Sequence, residues 1–409
     1  IDNMALILTR SPFHIGRGSY YNASIQVDVK SPEGSFVYET YTLSFRSNYL
    51  IDIAPLCESI YKKNSSFIGG YNTYITPFGN APTFNDTGII TVTLSGEDSS
   101  GVAQDDIVTN YTCANGYVYS TEPYNKDFHS VLLSKSYYAG SSDIIYKLDD
   151  ANLRIPILNP TNDNTADQDV YVNFMKNDKI LYTDTITLGG AFVGANNPHS
   201  QIARTFDYDS FLNRVNQDDG TIEESKCYTD FFEEYKIDDV DKIHVVYEDN
   251  VHIINVKTVE ECKYNPYRIT FRNRFGVMED LWFFKKSTVS MSVKGEEFRA
   301  NQLTSRVNAR EIPLLGYQNT PITRSSQEYN KNGVETVTLN SGFVDEALNE
   351  SFKQLMLSEE VELYDFNNDV RSAVKVKDSE LKLKTSTNDK LINYTIEVEM
   401  SNSIIDNII

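Results

Sequence analysis

Residues 262–287, CKYNPYRITFRNRFGVMEDLWFFKKS, constrain the fold more than any other stretch of the chain. Tyr267-Arg268-Ile269-Thr270-Phe271 alternates large and polar side chains, which is the two-residue period of a strand with one buried face. Asn273-Arg274-Phe275-Gly276 then carries the Asn and Gly of a turn. Leu281-Trp282-Phe283-Phe284 follows, an apolar run holding the one tryptophan and too continuous for an exposed edge. The stretch predicts a strand, a tight turn and a buried second strand. That is the core hairpin of a β-domain, with Phe271, Trp282 and Phe283 as its anchors.

The same period recurs along the chain. Ile25, Val27 and Val29 alternate with polar residues, as do Tyr41, Leu43 and Phe45, and residues 89–94 follow suit. Residues 170–174 and 180–188 predict a hairpin across Asn177-Asp178, and residues 243–248 and 251–259 a second across Asp249-Asn250. Pro156 demotes residues 153–158 to an edge strand. Further strands are expected at 289–293, 337–339, 361–364, 374–376, 381–383 and 394–400. Residues 97–115 read as irregular. Helical spacing is weak at 53–61 and 209–216. It is strong at 344–357, where Val344, Leu348, Phe352, Leu355 and Met356 share a stripe and Asp345 and Glu346 suit the first turn. Residues 65–87 and 301–332 lack periodicity, and the second of these predicts a long loop or arm carrying Arg306, Arg310 and Arg324.

A chain of 409 residues is long enough for two or three domains. Ala139-Gly140-Ser141-Ser142 is a natural boundary. Three units are expected: 1–140, a β-sandwich with long loops; 141–260, a second sandwich-like module; and 261–409, a β-domain with helix 344–357. With 27 Tyr and 21 Phe among many small polar residues, the expected class is mainly β, built of immunoglobulin- or fibronectin-like sandwiches in series.

The net charge of −21 argues against nucleic-acid or anionic-lipid binding by attraction. Cys57, Cys113, Cys227 and Cys262 have neither zinc nor redox spacing and are expected as free thiols, with Cys227–Cys262 the pair to test for a bridge. No His or Cys lies at metal-ligand spacing from any of the five histidines, although His244 and His252 fall on facing strands of one predicted hairpin. Asn162-Asp163-Asn164 with Asp167 and Asp169 resembles a calcium loop in composition but lacks its glycine and closing glutamate. There is no phosphate loop and no nucleophile elbow. No cofactor or metal is expected. No run is long and apolar enough to span a membrane, and the first residues lack the basic front and apolar heart of a signal peptide.

Residues 265–287 resemble a segment of virion structural proteins from tailed phages of Bacteroidota, the crAss-like group and its relatives. There a Cys-Lys-Tyr lead-in, an Asn-(Lys/Arg)-Phe-Gly turn and a Trp-Phe-Phe-Lys-Lys-Ser exit recur. The likeness extends to Thr9-Arg10-Ser11-Pro12, Leu153-Arg154-Ile155-Pro156-Ile157 and Tyr394-Thr395-Ile396-Glu397. It implies a non-enzymatic virion component assembled in the host cytoplasm, with a C-terminal unit similar to tail-tube and hub modules. Its partners would be copies of itself in a cyclic homo-oligomer and other tail, portal-neck or fibre proteins, with DNA only as passing cargo. Arg306, Arg310 and Arg324 would reach an acidic neighbour. A fibre or receptor-binding protein gripping a host surface glycan is the alternative. A hydrolase acting on such glycans would need two convergent carboxylates, and the sequence singles out none.

Overall fold

A computed structural model describes residues 6–30, 37–45, 50–63, 87–122, 138–148, 154–158, 168–188, 203–207, 240–247, 250–299, 303–305, 315–317, 326–378 and 391–405. The protein is mainly β.

The first unit is built on β1 (Leu6–Leu8), β2 (His14–Gly16), β3 (Tyr21–Lys30), β4 (Val37–Ser44), β5 (Leu50–Asp52), helix α1 (Ala54–Lys63), β6 (Thr87–Glu97) and β7 (Ile107–Ala114). Five of these strands form one sheet in the order β1-β7-β6-β3-β4, with β1 parallel to β7. The alternation of β3 buries Ala23, Ile25, Val27 and Val29 against Ile90 and Val92 of β6. Where a sandwich would place a second large sheet, Phe13 and Ile53, Ala54 and Cys57 at the start of α1 cover this face, alongside the two-stranded pair β2–β5. Asp52 fixes that cover, since its Oδ1 accepts from the backbone N–H of Phe13 at 2.9 Å and of Ala54 at 3.1 Å.

The second unit comprises β8 (Ile144–Leu148), β9 (Arg154–Leu158), β10 (Gln168–Lys176), β11 (Lys179–Leu188), β12 (Ala203–Asp207), β13 (Lys242–Tyr247) and β14 (Asn250–Val259). Its main sheet runs β11-β10-β13-β14-β8, and among the described residues β9 pairs with β12 alone. That separation suits Pro156, which has no N–H to give a second neighbour. Asn177 and Asp178 both have positive φ, 50° and 61°, the handedness a two-residue hairpin turn requires. Tyr247 faces Asn250, so Asn250, expected in the turn, instead opens β14.

The third unit comprises β15 (Tyr267–Arg272), β16 (Met278–Phe283), β17 (Lys285–Arg299), β18 (Leu303–Ser305), β19 (Leu315–Tyr317), β20 (Ser326–Asp345), helix α2 (Asn349–Leu357), β21 (Val361–Asp365), β22 (Val370–Val376) and β23 (Leu391–Met400). Seven strands follow the order β16-β15-β21-β22-β23-β20-β17, and β18 pairs with β19. The two end strands, β16 and β17, are joined by Phe284 alone. In a flat sheet they would stand roughly 29 Å apart at ~4.8 Å per strand. One residue cannot span that, so the sheet curls round and brings its ends together at this corner. The core fills the curl: Ile269, Phe271, Leu281 and Phe283 meet Val337, Leu339, Ile396 and Val398, closed by Leu348, Phe352 and Leu355.

The helix starts later than its stripe implies. Val344 and Asp345 stay in β20, residues 346–348 make one 3-10 turn, and the Asp345 side chain caps that turn by accepting from Ala347 N–H at 3.0 Å. Residues 107–114 are a strand despite their irregular pattern. Residues 326–332, within the expected arm, belong to β20. The predicted features at 65–87, 209–216 and 381–383 lie largely or wholly outside the described residues, as do residues 162–167 of the calcium-like loop.

Candidate functional site

The hairpin β15–β16 meets all three units, each with a different surface. Its register sets Tyr267, Ile269 and Phe271 opposite Phe283, Leu281 and Glu279, and this face looks into the third unit's own core. The other face sets Arg268, Thr270 and Arg272 opposite Trp282, Asp280 and Met278. A lone strand pair would leave that face wet, yet Arg268, Thr270 and Trp282 are buried. Trp282 packs with Phe284, Phe366 and Leu148, with Tyr146 of β8 and Val259 of β14 beside them, so the second unit covers it. Trp282 therefore anchors a junction between units, whereas Phe271 and Phe283 sit in the large core. Arg268 is held between the rings of Trp282 and Tyr364, 5.6 and 4.7 Å from their centres. Asp280 is 3.9 Å from its Nε.

The turn, residues 273–277, plugs into the first unit. Val277 packs with Leu8, Ala114 and Ala139. Tyr117 N–H donates to Arg274 C=O at 2.8 Å, and a Cβ on Gly116 would stand 2.3 Å from that same oxygen. Gly276, at φ +84°, closes the turn, and Asn273 Oδ1 accepts from the N–H groups of Phe275 and Val277. Arg274 ion-pairs with Glu122 at 3.1 Å and lies over Tyr119. The Tyr119 hydroxyl donates to Glu350 of α2 at 2.5 Å, and burial together with that carboxylate pushes its pKa up. Arg10 joins the same surface, donating to Leu357 C=O at 2.9 Å and pairing with Glu359 at 3.3 Å.

Glu279 ties a third strand of chain to this point. It accepts from Ser141 N–H at 3.1 Å, Asn273 Nδ2 at 3.0 Å and Ser351 Oγ at 3.1 Å, and also from Ser141 Oγ. Burial holds its pKa above the ordinary glutamate value, and the donors only partly offset that. Glu279 and Asp280 both line a cleft with Tyr138, Lys147 and Trp282. They do not converge. As neighbours on one strand they point to opposite faces, and Asp280 is engaged by Thr270 Oγ1 at 2.6 Å.

From this welded junction one element runs free. β20 pairs with β23 only from Thr336 onward, so residues 326–335 of β20 and 291–299 of β17 form a two-stranded ribbon beyond the sheet. Nine residues span ~30 Å at strand rise. No strand pairs with the outer side of β17 among the described residues. Val289, Met291 and Val293 share one face and are 56%, 60% and 54% exposed. That face continues the core: Val289 stands opposite buried Val337. Residues 404–405 strap the ribbon's base, with Ile404 N–H donating to Gly333 C=O at 2.8 Å. Gly333 leaves room for Ile404 and Met291 to approach each other.

Arg306, Arg310, Arg324 and Cys227 lie outside the described residues; Cys262 is an exposed thiol. His244 and His252 fall on opposite faces, because Val245, not His244, faces His252. His252 stacks on Tyr138 and lies 2.9 Å from Asp143 without hydrogen-bond alignment. Among the described residues no His, Cys, Asp and Glu group could hold a metal ion, and no helix is long and apolar enough to cross a membrane. Sequence reasoning missed the exposed ribbon because Ser-Thr-Val-Ser-Met-Ser-Val reads as one more half-buried strand. The alternation of Val289, Met291 and Val293 was legible, but it says nothing of whether another strand covers that edge. The chain matches no protein-family pattern and no curated protein.

Proposed function

We propose that the chain is a non-enzymatic structural subunit of a tailed-phage virion, forming an oligomeric ring or hub in the tail or neck and docking neighbouring tail or fibre proteins. The observation that carries this reading is the ribbon: a long strand edge with an apolar face, held out from a junction that locks three β-units together. Uncovered edges of this kind template pairing with another chain. The first two units supply serial β-modules, each built on one five-stranded sheet, and the curled third unit plays the part of a tube or hub module. The acidic surface repels phosphates, which suits a wall that DNA passes without sticking. Glu279 and Asp280 serve as ties within the fold. Exposed Tyr21, Tyr171 and Tyr329 belong to three different sheets and form no shared platform for a glycan. Negative-stain images of the purified chain and of particles containing it test the proposal. Rings or stacked discs are expected. Slender trimers would replace it with a fibre, and turnover of capsule polysaccharide with an enzyme.

A further inference from the structure

We infer that β17 is a two-fold interface on which a second copy of this chain pairs its own β17, antiparallel and centred on Met291. The inference goes beyond the virion reading and would hold for a dimer in free solution; a two-fold pair closes at two copies, so a larger ring would join such pairs through a further surface.

Three observations carry it. The outer edge of β17 is unpaired among the described residues. Residues 287–293, STVSMSV, contain no charge, proline or glycine to blunt the edge there, and the bulge beside it in β17 falls before Thr288. The third observation is the charge pattern at the two ends of this window. Lys285 and Lys286 precede it, and Lys294, Glu296 and Glu297 follow it, Lys294 facing Thr288 in the pairing centred on Met291. Pairing centred on Met291 sets Met291 against its own copy and Val289 against Val293. It also brings the lysine doublet of each copy to the glutamate doublet of the other, at both ends. The bulge between Lys285 and Thr288 offsets this by one residue, and a doublet facing a doublet tolerates that offset.

Neighbouring registers fare worse. Centring on Ser290 sets Lys286 against Lys294, and centring on Ser292 sets Lys285 against Arg299. Odd shifts place serines opposite the apolar stripe. In the favoured register the two stripes of Val289, Met291 and Val293 lie side by side on one face, flanked by Ile404 of each copy. Lys285 already binds Glu261 within its own chain at 2.8 Å, so Lys286 with Glu296 is the cleaner pair to test.

The experiment uses the full chain with Cys227 and Cys262 replaced by Ser. Met291→Cys should cross-link two copies under mild oxidation by copper phenanthroline in air, while Ser290→Cys, which does not face itself in this register, should cross-link far less. By sedimentation, Glu296→Lys should weaken the dimer by roughly tenfold, because two symmetric pairs turn repulsive. Adding Lys286→Glu should restore it. All four positions are exposed, so the variants should fold. A chain that stays monomeric at every concentration overturns the inference. So does a dimer that ignores the charge exchange or fails to cross-link at position 291. Rings that form through other surfaces, with β17 still free, would overturn it and leave the virion reading standing.

Discussion

Glu279 concentrates the chemistry of the junction in one carboxyl group. It is buried, it accepts from donors on three segments, and its pKa is raised mainly by burial. A raised carboxyl pKa means the folded state holds its proton more tightly than the unfolded chain does. Its contribution to stability is therefore complete below the ordinary value of 4.5 and is lost as pH rises through the folded pKa. Glu279→Gln should remove that decline, visible as a flatter Tm profile from acidic to neutral pH. Glu279→Ala leaves Ser141 N–H without its acceptor and should cost about 3 kcal/mol. Trp282→Ala should cost ~3–5 kcal/mol as a large buried ring is lost. The loss belongs to the junction with the second unit. In hydrogen exchange, residues 144–148 and 250–259 should lose protection before 337–339 and 392–398 do. Simultaneous loss in both sets would return Trp282 to the main core.

At the scale of elements, the hairpin was legible in the sequence as a hairpin, since turn residues and a two-residue period are local signals. Its burial on both faces was not. Arg268 and Thr270 read as the wet side of a strand, but Tyr364 stacks on Arg268 and residues of β8 and β14 pack on Trp282 beside it, so the face is dry. The second helix illustrates the same limit. Its stripe was visible, but the capping of a 3-10 turn by Asp345 decides where it starts. β7 escaped notice because Ile107 and Val108 are exposed while Cys113 and Ala114 are buried. Its pairing with β1 and β6, not its own pattern, makes it a strand. Of the candidate site, the anchors were legible and the ribbon was not, because an apolar stripe cannot reveal whether its own chain covers it. Docking of the turn has a direct test. Gly116→Ala pushes a methyl group into Arg274 C=O and should destabilise by about 2 kcal/mol in chemical unfolding. It should also expose the Arg274–Glu122 pair to salt.

Among the described residues, the three large sheets share one keystone, and the β17 edge leads away from it. The net charge of −21 makes copies repel at long range, so any association must rest on close contacts. Raising ionic strength from ~0.01 to ~0.15 M shortens the screening length from about 30 to 8 Å. Association should strengthen over that range, as followed by light scattering. The central claim, that the free edge of β17 is built to be covered by another chain, is tested most directly by hydrogen exchange of residues 285–299 against protein concentration. Amides that point away from β20 should gain protection as concentration rises. Free exchange of those amides at every concentration would contradict the account.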